Sequence, residues 1–197
     1  MLGRLFGHRS DAVDVRAECF RQFFESHLGR PSHTSTIQSE PSMPTIDIET
    51  YVAPWDPAVR VIASVGLSYY TRQRGELAEV ILLVDAEYKV AASAFVRIVG
   101  LLADEPLAFG LGEVYEGSRS FGRIASRHGK VAMVLVAQPF EEPPLFHVDC
   151  DGGPGHVFVL MPVSQAERDL ITNEGWEALE SLLDGVDVSD LGRDSVV

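Results

Sequence analysis

The sequence predicts an α+β fold: a mixed, largely antiparallel sheet of about six strands packed with helices. Two observations carry that prediction. Segments with strand-like spacing come in runs instead of alternating one by one with helices. One of them, "ELAEVILLVD", is apolar on both sides, with Val80, Leu82 and Val84 facing one way and Ile81 and Leu83 the other. A strand of that kind belongs at the centre of a sheet with both faces covered. The chain has 197 residues, 46% hydrophobic and 23% charged, which suits one folded domain with a modest appendage.

The elements follow in order. Ala12, Val15, Cys19, Phe20, Phe23 and Phe24 repeat at three- and four-residue spacing, so residues 1–29 are read as an N-terminal helix. Ser10 or Asp11 can cap its start, and Gly29 followed by Pro31 can end it. Residues 30–44, "RPSHTSTIQSEPSMP", are rich in Ser, Thr and Pro and read as a flexible linker. The main domain is then expected over residues 45–185. "TIDIETYV" alternates as a half-buried strand, with Ile46, Ile48 and Val52 on one face and Asp47, Glu49 and Tyr51 on the other. "PWDP" breaks it. "AVRVIASVG" and "ELAEVILLVD" are the next two strands. "VAASAFVRIVGLLADEP" is a helix with Ala91, Ala94, Phe95, Ile98 and Leu102 inward, stopped by Pro106. Residues 107–130 read as loop with room for short strands.

"VAMVLVAQ" is a buried strand. "LFHVDC" and "HVFVLMPV" flank "DGGPG", a hairpin turn. Ser164 and Glu167 form a capping box, so a helix begins there. Asn173 and Gly175 interrupt it, and "WEALESLLDG" is the last helix, closed by Gly185. Residues 186–197 are a C-terminal tail with little to bury.

The net charge is −13, from 16 basic and 29 acidic residues. From Gln138 to Val197 there are 13 acidic residues and only two basic ones, Arg168 and Arg193. Such a surface repels phosphate backbones, which argues against direct nucleic-acid binding. It attracts a basic partner. No apolar run is long enough to span a bilayer. "MLGRLFGHRSD" is interrupted by arginines and makes a poor signal peptide. Cys19 and Cys150 stand outside any C-x-x-C arrangement. Buried free thiols in a reducing cytoplasm are the expectation, with a Cys19–Cys150 bridge as the alternative.

Several motifs invite chemistry. "DGGPGH" has the glycines of a phosphate loop, but a strand follows where a helix would be needed. His147, Asp149 and His156 could share a strand face; two imidazoles and a carboxylate with an open position can activate water at a metal. Polar residues on the solvent side of a strand give the same pattern without any metal. "SRSFG" has Ser118 where a nucleophile elbow needs glycine. No catalytic set, metal site or cofactor is therefore expected. Trp55 and Asp56, held between two prolines, are candidates for a partner-facing anchor. In "SVGLSYYTRQRGELAEVILLV", Gly66 supplies a backbone conformation other residues resist and Ser68 can close the turn. Tyr69, Tyr70, Arg72 and Arg74 are left at an exposed tip.

Three segments taken together resemble the suppressor-of-fused domain family. "SVGLSYY", a short polar loop and "ELAEVILLVD" are similar to its central motif. "FVRIVGLLADEPLAFG" matches a helix at the corresponding place. "VFVLMPVSQAERDLITNEGWEALESLL" looks like its closing segment. The matches keep the family's order and cover about Ile46 to Leu183. Glu113 stands where the family often has a histidine, and the sequence leaves no room for the second lobe of the animal member. The resemblance is to a bacterial single-domain member. It implies a non-enzymatic protein-binding domain of the immunity type, which neutralises a partner toxin by occlusion. Glu141, Glu142, Asp149 and Asp151 are then candidates for meeting a basic toxin. A metal-assisted hydrolase using His147, Asp149 and His156 is the alternative, and a peptide-binding adaptor is a third. Neither cofactor nor membrane contact is expected, and the oligomeric state is left open.

Overall fold

The computed structural model describes residues 15–38, 43–71, 77–86, 89–104, 112–116, 129–136, 147–150, 153–188, 190 and 192–197. They form helix α1 (Val15–Leu28), strands β1 (His33–Ile37), β2 (Ile46–Val52) and β3 (Val59–Val65), and the short helix α2 (Ser68–Thr71). Strand β4 (Leu77–Asp85) and helix α3 (Lys89–Asp104) follow. Next come β5 (Val114–Glu116), β6 (Lys130–Val136), β7 (His147–Cys150) and β8 (Gly153–Ser164), then helices α4 (Gln165–Glu174) and α5 (Trp176–Glu180). The sheet order is β1-β2-β3-β4-β8-β6-β5, with β7 also paired to β8. Among the described strands only β4 and β8 run parallel; every other pair is antiparallel.

The α+β prediction holds, and β4 is central as its two-sided pattern requires. Val80, Leu82 and Val84 pack with Ala94, Phe95, Ile98 and Leu102 of α3. Ile81 and Leu83 lie in a second core with Phe20, Phe24 and Leu28 of α1 and with Ile171 and Leu179 of α4 and α5. The sheet is thus the middle of three layers. The predicted capping box is present: the Ser164 hydroxyl accepts from the Glu167 N–H, and Glu167 accepts from the Ser164 N–H at 2.7 Å. The predicted antiparallel pair is present too, from Cys150–Gly153 to His147–His156, but Gly153, Pro154 and Gly155, expected in the turn, belong to β8, and residues 151–152 lie outside the described residues.

Four expectations need correction. Residues 30–44 are not simply a linker, because His33–Ile37 pair with β2 from Thr50 to Ile46. Four of those five residues are exposed, so an edge strand with two wet faces needs no apolar alternation to signal it. With β5 it brings the total among the described residues to eight strands. The second correction concerns β2, whose predicted polar face is buried. Glu49 and Tyr51 lie under α1, where Arg21 donates to Glu49 at 2.8 Å and to Asp47 at 2.7 Å, and the Tyr51 hydroxyl donates to Glu49. Opposite charge across two elements makes burial of that face tolerable.

The third correction is covalent. Cys19 and Cys150 form a disulfide across 131 residues of sequence, with Cα atoms 5.8 Å apart. It joins α1 to β7, two elements whose contact no local pattern reveals. The expectation of a reducing cytoplasm loses its support from free thiols. Beside this bond the Phe20 ring lies against Gly155, where an added Cβ would come 2.6 Å from Phe20 Cζ.

The fourth correction is the tail. Last-helix residues after Glu180 turn instead of continuing the helix, and the chain beyond them packs back on the core. Val188 is buried. Arg193 bonds to Glu167 at 2.5 Å, with both side chains almost fully covered, and the Lys130 ammonium donates to the Arg193 carbonyl at 2.9 Å. Burial pushes the Glu167 carboxyl up, but Arg193 and the Ser164 N–H bring it to a net position below the usual range.

Leu82→Ala is expected to cost about 2–5 kcal/mol in a denaturant melt, as for other buried leucines. A cost under about 1 kcal/mol would contradict its central place. Arg193→Ala is expected to cost about 3 kcal/mol, because it strands the Glu167 carboxylate in the interior. A surface-like change of about 0.5 kcal/mol would mean the tail does not hold that carboxylate.

Candidate functional site

The turn between β3 and β4 is built around one carboxylate. The Ala63–Ile81 register brings Glu79 of β4 beside the end of β3. There the chain turns at Gly66, whose φ is +111° and whose missing Cβ would otherwise meet the Thr45 carbonyl at 2.8 Å. The following amides point at Glu79. Gly66 and Ser68 donate N–H bonds to Oε1 at 2.8 and 3.0 Å. Leu67 N–H and the Ser64 hydroxyl donate to Oε2 at 3.1 and 2.6 Å. Glu79 is fully buried. Burial pushes its carboxyl up to about 7, against the pull of these donors towards the anion.

Four donors on one closed-off carboxylate make an internal staple. It lacks the exposure a general acid or base needs to meet a substrate. The expected role of Gly66 is met, while Ser68 holds the turn through its N–H. The sequence shows Glu79 as a carboxylate carried by an apolar run, without showing what partners it. The available signal was a charged residue inside a strand covered on both faces, a place carboxylates occupy only when partnered.

The predicted partner-facing residues scatter. Tyr70 is not at an exposed tip: it is buried in the α3-side core and donates its hydroxyl to the Pro44 carbonyl at 2.7 Å. Tyr69 is half-buried, its ring edge-on to Tyr70 with centroids 5.5 Å apart. Arg72, Arg74, Glu141, Glu142 and Asp151 lie outside the described residues. Trp55 is 45% exposed, and Val52 before it is exposed as well. Asp56 serves its own turn, accepting from Ala58 N–H at 2.8 Å through Oδ1 and from Val59 N–H at 3.0 Å through its carbonyl. Asp149 is exposed. Val148 of the same strand turns into the α1-side core, so alternation puts Asp149 on the opposite side of the sheet. Glu113 is exposed at the start of β5.

His147 and His156 occupy directly opposite positions in the β7–β8 ladder. His156 stacks on Phe158, with ring centroids 6.1 Å apart. Among the described residues no group of three or more His, Cys, Asp or Glu side chains is placed to hold a metal. Nor is any described helix long and apolar enough to cross a membrane.

The C-terminal segment carries a one-sided charge. Asp169, Glu174, Glu177, Glu180, Asp184, Asp187, Asp190 and Asp194 are exposed. Its two arginines are both engaged with acids, Arg193 with buried Glu167 and Arg168 with Asp169 at 3.3 Å. The exposed charges of α4, α5 and the tail are therefore mostly carboxylates, with the Lys130 ammonium acting on Asp190 and Asp194 as a partial offset.

A family model described as Suppressor of fused protein (SUFU) matches residues 43–194. The chain belongs to the suppressor of fused family. The SUFU match begins after β1, although α1 and β1 are built into the same core and sheet. A SUFU homologue from Neisseria gonorrhoeae has a similar structure, with a TM-score of 0.68 at 16% identity, covering 93% of this chain and 95% of that one. The structure of a Sufu–Fu complex is also similar, with a TM-score of 0.60 at 14% identity, covering 91% of this chain and 90% of that one. The comparison with curated proteins gives no match.

Glu79→Gln tests the staple. The Glu79 carboxyl is pushed up to about 7 in the folded state, from an ordinary value of 4.5. Between those pH values the folded state holds a proton that the unfolded state has released, so this group's contribution falls as pH rises. Wild type is expected to lose stability relative to Glu79→Gln from pH 4.5 to 7 and to level off above. A difference between the two that does not change with pH would show that Glu79 titrates alike folded and unfolded.

Proposed function

We propose that this SUFU domain is a non-enzymatic protein-binding module of the immunity type. It neutralises a toxin by covering the toxin's basic active-site surface. The observation that carries the reading is the mostly acidic exposed charge of α4, α5 and the tail, whose two arginines are already engaged. Family membership supports a binding role, and one solved relative is a complex of Sufu with Fu. An acidic face accelerates encounter with a basic partner through long-range attraction.

A second reading, a peptide-binding adaptor, is favoured by β1. Among the described residues no strand lies beyond its outer edge in the sheet order, and an extended peptide can add there. The partner purified with the protein from its source cells separates the two. In stopped-flow association across a salt series, the toxin reading expects a steep fall in association rate with added salt and a smaller change in dissociation. Glu174→Lys combined with Glu177→Lys should slow association about tenfold at low salt and leave the melting temperature nearly unchanged. Association indifferent to salt and to both reversals rules out docking through this face. Partner-induced hydrogen-exchange protection confined to β1 would favour the adaptor. One tight metal ion per chain, found by elemental analysis after purification without chelators, would favour a hydrolase.

A further inference from the structure

Strand β7 is held on few sides. It is four residues long and pairs with β8 alone among the described strands. Its ladder is four cross-strand pairs, from His147–His156 to Cys150–Gly153. Inside β7, Val148 is buried in the core and Cys150 packs against it. Its last residue, Cys150, is bonded to Cys19 of α1. The helix at the other end of that bond is anchored independently. Phe20, Phe24 and Leu28 are buried, and Arg21 bonds to Asp47 and Glu49 of β2. Loss of the disulfide therefore leaves α1 with its own attachments and β7, among the described residues, with its short ladder and the packing of Val148. Cys19 and Cys150 are both only half-buried, so a small thiol can reach the bond.

We propose that the Cys19–Cys150 disulfide is a redox-operated clamp on the β7–β8 hairpin: bonded, it orders β7 against α1; reduced, it lets β7 fray while α1 and the central sheet stay folded. The reductant is a small thiol of the glutathione class. One thiolate attacks a sulfur of the pair, the S–S bond breaks and a mixed disulfide forms. A second thiolate attacks that mixed disulfide and leaves as the oxidised thiol dimer. Two electrons pass from the two small thiols to the disulfide, and their two protons end on Cys19 and Cys150. The oxidised dimer drives the reverse. The inference goes beyond the binding reading, because it concerns the order of the hairpin and needs no partner.

The test uses the full chain purified without reductant. Thiol counting in denaturant is expected to find none free, and to find both cysteines free after treatment with a phosphine reductant. Hydrogen exchange of oxidised and reduced protein is then compared under native conditions. Protection in β7 is expected to fall about tenfold or more on reduction, while β3, β4 and α1 keep theirs. The melting temperature is expected to fall by about 10 °C, as for opening a long cross-linked loop. Oxidised glutathione should restore both. The double variant Cys19→Ser, Cys150→Ser should match the reduced protein and ignore both reagents. Unchanged protection in β7 overturns the proposal. So does equal loss in β7, α1, β3 and β4, which would make the bond a staple of the whole fold. Thiols that remain free in oxidised glutathione overturn it as well.

Discussion

The structure depends on one constraint: β4 must be covered on both faces. A strand with apolar residues pointing both ways, set between β3 and β8, cannot leave either side to water. One side takes α3. The other takes α1, α4, α5 and the end of the chain, gathered from opposite ends of the sequence. That need explains why a helix before the SUFU match belongs to the core, and why the final residues return to it. Because both sides are dry, any polar group carried into them has to bring its own partner. Glu79, Glu49 and Glu167 each do so, with backbone amides, with Arg21 and with Arg193.

Elements whose stability is local were legible in the sequence. The capping box at Ser164, the glycine-rich hairpin, the amphipathic α3 and the two-sided β4 all write their reason within a few residues. What escaped was non-local. β1 is polar because it lies at an edge, and its ladder with β2 leaves no side-chain signature. Glu49 and Tyr51 read as a wet face until α1 arrives with Arg21 to cover them. The tail looked dispensable because its main contact is one arginine whose partner lies 26 residues earlier.

For the candidate site, the balance is similar. The turn after β3 was found from Gly66, because its backbone demand is local. The carboxylate that organises the turn was not, since its four donors converge only when β3 and β4 are paired. The acidic excess was visible as composition. Its sidedness needed the fold, because strand alternation separates Asp149 from the α4–α5 carboxylates.

The Phe20 ring leaves no room for a side chain at Gly155. Glycine in the hairpin is thus dictated by a helix at the far end of the chain, beyond any requirement of the turn itself. The two positions form one packing unit. A chimera that takes its N-terminal segment from one relative and its hairpin from another would have to match ring to gap. Helix and hairpin are therefore best exchanged together, although most of the SUFU domain lies between them.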